Sequence, residues 1–205
     1  WFGTFDGLHR FDGNRFERVE LSQRGRLTRQ QIIGVRAQKD GQLLISYVGS
    51  GLSVLYPDGR QDDLPEIEGR ALASLVATID DDGSIWAGSL GGVHHFDGKE
   101  WRQVAFDGVP DTGGPLGMVV DQYGQLWFSD ATASWRLDRQ RMRFVRVAPS
   151  GGRLVMSPDG RLWAVRHGRL ALLPGAPDGR AKPRPAWFNA MEARTAALFD
   201  RDGAL

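Results

Sequence analysis

Four histidines are the side chains of this sequence best suited to transfer a proton near neutral pH or to bind a metal ion. His9 and His94 occupy equivalent places in the phrases GLHR and GVHH, whereas His95 and His167 are less regular. A position that recurs on an alternating strand usually serves packing. No Ser, His and Asp trio has a spacing that supports nucleophilic catalysis. We therefore predict no catalytic residue in this chain.

An acidic turn, DDDG at 80–83, is the other candidate for chemistry, because carboxylates close together bind calcium. A calcium loop of the EF-hand type needs alternating acids before the glycine and a bidentate Glu six residues beyond it. Neither is present, and the same turn recurs with fewer acids. The chain has no cysteine for a thiolate metal site. We expect neither a metal site nor a cofactor.

The acidic turn belongs to a repeat that runs along the chain. Each copy has a turn of the form D-x-G or D-x-x-G, then a large apolar residue. This large apolar residue marks each copy. Successive markers are 43, 42, 41 and 36 residues apart, and the next would fall at position 206, just past the end of the sequence. A period of about 40 is typical of the blades of a β-propeller. The markers are Trp1, Leu44, Trp86, Trp127 and Trp163.

The pattern inside each repeat indicates strands. A short apolar run such as ASLVATID (73–80) comes first, then the turn, then the Trp segment, then an alternating strand such as GVHHFDG (92–98) and a fourth strand such as EWRQVAF (100–106). Apolar residues nowhere keep a helical spacing over a dozen positions, and 27 Gly and 10 Pro interrupt the chain. The fold class is all-β, a β-propeller of about five four-stranded blades.

The most repeated residues are predicted to be scaffold. A blade is buried on both faces by its neighbours, so the Trp should fill the space between adjacent sheets. The small residue two positions later, as at Gly88 and Ser129, should leave room for the indole.

Ligand binding is expected at one rim of the central channel, where loops enter the inner strands and join the second strand to the third. These loops differ from blade to blade, and a binding cleft needs a few convergent polar groups. The residues predicted to bind a ligand are Tyr47, Arg70, Asp111, Asp130, Arg166 and His167.

Composition limits the partners. Lys and Arg number 26 against 25 Asp and Glu, so the net charge of +1 gives no field for nucleic acid or an anionic bilayer. No apolar run reaches the roughly 20 residues of a membrane span. We expect a small polar ligand, such as a carbohydrate, or a protein partner, and no membrane contact by these residues.

The phrases WFGTFDGLHRFDGNRF (1–16) and IWAGSLGGVHHFDGKEW (85–101) resemble the two-component regulator propeller repeat. The resemblance covers nearly all of the chain and weakens at SWRLDRQRMRF (134–144) and GRLALLPG (168–175). It implies a non-enzymatic, extracytoplasmic or periplasmic sensor domain of a protein anchored in the inner membrane. It also implies a histidine kinase or diguanylate cyclase elsewhere in that protein. The whole protein could then form a homodimer.

Two other functions stay open at this point. The segment GQLWFSD (124–130) is similar to the repeats of streptogramin lyase, which would make the chain a metal-assisted lyase. A propeller that binds another protein is the third alternative.

The ends of the sequence interrupt the repeat. Residues 1–205 are interpreted as one propeller segment, with 195–205 starting the next blade. We expect them to belong to a larger ring, of seven blades for example. A closed five-bladed ring, with 195–205 as the inner strand of the first blade, is the alternative.

Overall fold

The protein is described from a computed structural model. The described residues are 1–21, 31–38, 40–49, 51–67, 72, 74–110, 114–121, 123–149, 151–157, 160–167 and 169–173. Arg70 and Asp111, and the segment 195–205 proposed to start a further blade, lie outside them.

Every described element is a short strand, as the repeat predicts, and the strands within each blade pair antiparallel. Within the described residues, no helix has the length and apolarity required to cross a membrane. The strands are β1 (Phe2–Thr4), β2 (Gly7–Phe11), β3 (Phe16–Val19), β4 (Ile32–Ala37), β5 (Leu43–Tyr47), β6 (Leu52–Leu55), β7 (Gln61–Asp63), β8 (Ser74–Ile79), β9 (Ile85–Ser89), β10 (Gly92–Phe96), β11 (Trp101–Asp107), β12 (Gly117–Val120), β13 (Leu126–Ser129), β14 (Ser134–Asp138), β15 (Arg143–Ala148), β16 (Arg153–Met156), β17 (Leu162–Arg166) and β18 (Arg169–Leu172).

These strands form five consecutive blades. Blade 1 contains β1–β3, blade 2 β4–β7, blade 3 β8–β11, blade 4 β12–β15 and blade 5 β16–β18. The first strands of blades 2 to 5 contact one another in sequence order. Arg36 of blade 2 donates from Nη2 to the carbonyl oxygen of Met118 in blade 4, over 3.0 Å. Inner strands that meet around a shared axis define a β-propeller, which confirms the predicted fold class.

The outer strands of blades 3 and 4 are joined, which the sequence did not predict. β11 runs parallel to β15, with Phe106 opposite Phe144, so the two blades form one eight-stranded sheet. The rings of Phe106 and Phe144 stack at 5.0 Å. β11 is seven residues long, and it is the end of this strand that reaches the edge of β15.

Apolar layers between successive blades form the core. Between blades 3 and 4, for example, Trp86, Val93, Met118, Trp135 and Phe144 pack into one cluster. Similar clusters lie between blades 1 and 2, 2 and 3, and 4 and 5. The core is therefore a series of layers, and each blade depends on its neighbours for burial.

The small residue two positions after the repeated Trp lies where the neighbouring blade approaches. A Cβ atom added at Gly88 would lie 2.8 Å from Cγ2 of Val76 and 3.1 Å from Cβ of Pro115. Pro115 belongs to the segment that enters blade 4, so this glycine permits close approach of the neighbouring blade. At Ser129 the hydroxyl donates to the carbonyl oxygen of Gly152, which again links a blade to the next.

Blade 1 has an exposed aromatic face, whereas the equivalent face of blade 3 is covered by its neighbour. Phe11 is 43% exposed and Phe16 is 60% exposed, and their rings lie 4.7 Å apart. Phe96, at the equivalent place in blade 3, is only 9% exposed because it packs against blade 2. Exposed apolar patches of this kind promote association.

We therefore expect the 205-residue chain to self-associate, and Phe16→Ser to shift sedimentation velocity toward the monomer. Leu90→Ser is the matched control, because Leu90 is 69% exposed but lies outside the aromatic face. A chain that sediments as a compact monomer at all concentrations would contradict this expectation and favour the closed ring.

Candidate functional site

Buried carboxylates hold the repeated indoles and fix the turns of the propeller. Trp86 donates from Nε1 to Oδ2 of Asp80 over 3.2 Å, and Trp127 donates to Oδ2 of Asp121 over 2.9 Å. Both Asp residues are less than 10% exposed. A buried indole N–H needs an acceptor, and a carboxylate makes a strong one. Sequence reasoning treated these Asp residues as turn formers only.

The acceptor changes where the repeat changes. In blade 5 the residue six positions before Trp163 is Ser157, and its Oγ accepts the indole N–H over 3.1 Å. In blade 2 the marker is Leu44, which has no N–H to donate, and the residue six positions earlier is Gln38. The marker residue and the residue six positions before it thus change together between blades. This pattern is visible in the sequence and points to the indole acceptor.

One of these carboxylates also joins two blades. Arg139 of blade 4 donates from Nη2 to both carboxylate oxygens of Asp80 in blade 3, at 2.7 and 3.0 Å. The same nitrogen donates to the carbonyl oxygen of Gly124. The acidic turn at 80–83 is thus tied into the scaffold.

Two of the residues predicted to bind a ligand lie in the interior. Tyr47 is 1% exposed and packs with Leu8 and Ile32 in the layer between blades 1 and 2. Asp130 is 0% exposed. Neither side chain is accessible to a ligand at the rim in this structure.

Hydrogen bonds hold the carboxylate of Asp130 in place. Its Oδ1 accepts from the backbone N–H groups of Thr132 and Ala133, each at 2.7 Å, and from the hydroxyl of Thr132 at 2.9 Å. Its Oδ2 accepts from Nε1 of Trp135 at 3.1 Å. The carboxylate therefore shapes the loop between β13 and β14 and orients a core indole.

Arg166 and His167 are exposed and lie beside that loop. The Nη1 group of Arg166 donates to the carbonyl oxygen of Ala131, across the boundary between blades 4 and 5. His167 adopts a φ of 49°, which is uncommon for a residue other than glycine, and so turns the chain sharply after β17. Asp130, Arg166 and His167 thus belong to one rim, which we call the blade 4–5 rim, comprising residues 130–133 and 166–167.

The two consecutive histidines of blade 3 face different surroundings. Burial lowers the pKa of His94. Burial also lowers the pKa of His95, which stacks on Trp86 with ring centroids 4.2 Å apart, although Asp82 and Asp97 act in the opposite direction. Among the described residues, no three His, Cys, Asp or Glu side chains come together in a way that could hold a metal ion.

Comparison with families and curated proteins identifies no relative. No family model matches the chain, and no curated protein matches it significantly.

Solved structures share the fold. The extracellular domain of BT4673 from B. thetaiotaomicron, assigned to a hybrid two-component system, is 14% identical over 84% of this chain and 25% of its own, with a TM-score of 0.65. PorZ, a surface component of the type-IX secretion system of Porphyromonas gingivalis, is 16% identical over 85% of this chain and 30% of its own, also at 0.65.

The fold is also similar to that of a lyase, over a smaller part of the chain. Virginiamycin B lyase from Staphylococcus aureus is 15% identical over 69% of this chain and 54% of its own, with a TM-score of 0.53. The chain spans about half the length of the lyase and a quarter to a third of the surface proteins. The chain is a β-propeller. Among its structural neighbours are extracellular domains assigned to two-component systems, the class that the repeat phrases resemble.

Proposed function

We propose that this chain is the extracytoplasmic sensor propeller of a bacterial signalling protein and that it performs no chemistry. The observation that carries the proposal is the likeness of its fold to extracellular domains assigned to hybrid two-component systems. In such a protein the propeller binds the signal. A histidine kinase or diguanylate cyclase on the other side of the inner membrane, dimerised through the same protein, carries the response.

The blade 4–5 rim is the ligand-binding surface in this proposal. Its carboxylate, Asp130, is occupied by the scaffold, which leaves Thr132, Arg166 and His167 as the exposed polar residues. A guanidinium group donates best to carboxylates and to other oxygen acceptors. A small polar ligand with a carboxylate, such as an acidic sugar, suits this rim.

Calorimetry with two probes tests the proposal. D-glucuronate should bind the 205-residue chain more tightly than D-glucose, and Arg166→Ala should weaken D-glucuronate binding at least about tenfold, since a charge-assisted hydrogen bond is lost. Arg141→Ala is the control, because Arg141 is an exposed arginine in the turn between β14 and β15. Equal affinity in Arg166→Ala and the wild type would contradict the assignment of this rim.

The lyase function is the second candidate, favoured by the similarity to virginiamycin B lyase. Opening a macrocyclic ester by elimination requires a general base and is aided by a metal ion. Incubation of a streptogramin B antibiotic with the chain, with and without Mg²⁺, distinguishes the two. Metal-dependent turnover that is abolished by His→Ala at one of the four histidines would replace the sensor function by the lyase function.

A further inference from the structure

A cleft opens between blades 2 and 3, away from the blade 4–5 rim. It has a volume of about 500 Å³. Trp101 of β11 donates from Nε1 to the carbonyl oxygen of Pro65 over 2.8 Å, so a hydrogen bond joins the two blades at the cleft. Its lining combines apolar and polar side chains: Pro65, Glu66, Ile67, His94, Lys99, Glu100, Trp101 and Gln103.

The strand register relates His94 of this cleft to a core residue of the next blade. His94 lies opposite Ala87, the residue that follows the repeated Trp86. At the same register in blade 4, Trp135 lies opposite Phe128. Trp135 and Phe128 are buried in the layer between blades 3 and 4, where they fill the corresponding space. In blade 3 the smaller pair His94 and Ala87 stands at this register, and His94 lines the cleft.

His94 offers a hydrogen-bond donor to this cleft. Its Nδ1 atom is buried and has no hydrogen-bond partner among the described residues. A proton on Nδ1 would therefore be a buried donor without an acceptor, so the neutral ring carries its proton on Nε2. Burial lowers the pKa of His94, which favours the neutral ring.

Opposite charges line the cleft without forming salt bridges. Glu66 and Lys99 are exposed, and neither has an ion-pair partner within the described part of the chain. Glu100, by contrast, is engaged by Arg102 at 2.6 Å. Gln103 donates from Nε2 to the carbonyl oxygen of Gly91, which leaves its amide oxygen as an acceptor. The cleft thus combines donors, acceptors and an apolar wall.

We propose that this cleft binds a small zwitterion, namely a free α-amino acid with an apolar side chain. The carboxylate of the ligand meets the donors Lys99 and His94, and its ammonium group meets the acceptors Glu66 and Gln103. The side chain packs on the wall formed by Ile67 and Trp101. Unpaired charges of both signs fit a zwitterion better than a neutral sugar or a simple ion, because each charge gains a partner.

L-leucine is the probe for this site. In calorimetry with the 205-residue chain, L-leucine should give saturable binding. L-leucinamide, which lacks the carboxylate, and N-acetyl-L-leucine, which lacks the ammonium group, should each bind at least about tenfold more weakly. D-glucose should not bind at this site.

Three variants connect the binding to the cleft. Lys99→Met should weaken L-leucine but change L-leucinamide little, and Glu66→Gln should weaken L-leucine but change N-acetyl-L-leucine little. His94→Trp should abolish binding by filling the cleft as Trp135 fills its counterpart. Glu20→Gln, an exposed charge change in blade 1, is the control and should bind as the wild type does.

The relative affinities of the three leucine compounds for the chain and its variants decide whether the proposal holds. Binding of L-leucine that Lys99→Met and Glu66→Gln leave unchanged, or equal binding of all three leucine compounds, would overturn the proposal. The absence of saturable L-leucine binding would do the same. Circular dichroism of each variant checks that the fold is retained.

Discussion

Replacement of Trp127 by alanine is expected to lower the free energy of unfolding by about 3–5 kcal/mol, as for other large buried aromatic residues. The side chain is 1% exposed and packs with Leu162, Ala164 and Leu173 in the layer between blades 4 and 5. Truncation leaves a cavity in that layer. It also leaves Asp121 without the indole N–H that it accepts at 2.9 Å. Urea denaturation followed by circular dichroism gives the loss.

Trp1 is the matched control, because it is the first marker of the same repeat but is 44% exposed. Trp1→Ala should change stability by less than about 1 kcal/mol, as exposed substitutions do. If Trp127→Ala were equally mild, the indole would not be part of the core and the repeat would have been misread. A large loss for both would indicate that the first blade is covered in solution.

The fold could be predicted because the signals are local and repeated. Turn residues, alternating apolar residues and a fixed period recur in successive units, so an error in one unit is corrected by the others. The inner strands β4, β8, β12 and β16 all lie in the apolar runs that precede the turns. The number of blades in the intact ring stays a prediction, because it depends on contacts beyond the repeat itself.

Contacts between blades were harder to predict. The parallel pairing of β11 with β15 depends on how two outer strands meet in space, and no local pattern encodes it. The close approach of Pro115 to Gly88 was not predicted for the same reason, since Pro115 belongs to the segment that enters the next blade. Alternation shows which face of a strand is buried but not what covers it.

The candidate rim stays a prediction. Arg166 does contact the loop that contains Asp130, because equivalent loops of neighbouring blades lie at the same rim. The roles of Tyr47 and Asp130 were harder to infer, since a polar residue in a variable loop has the same pattern whether it faces solvent or the core. Arg70 and Asp111 stay predictions.

Asp130→Ala tests whether this residue belongs to the scaffold or to the ligand site. We expect a loss of stability of about 3 kcal/mol, because removal of the carboxylate leaves the indole N–H of Trp135 and the backbone N–H of Ala133 buried without acceptors. The backbone N–H of Thr132 loses the same acceptor. Asp130→Asn should lose less, since the amide oxygen can still accept from the two backbone groups. Thermal and urea unfolding provide the measurement.

Asp12→Ala is the control that separates the effect of burial from the loss of the turn hydrogen bonds. Asp12 accepts from the backbone N–H groups of Asn14 and Arg15 in a similar turn, at 2.8 and 2.9 Å, but it is exposed to water. Those hydrogen bonds lower the pKa of Asp12, yet water can replace the carboxylate as acceptor. Asp12→Ala should therefore shift the unfolding midpoint much less than Asp130→Ala. If Asp130→Ala unfolded like the wild type and lost only D-glucuronate binding, the carboxylate would have to leave the core and reach the rim.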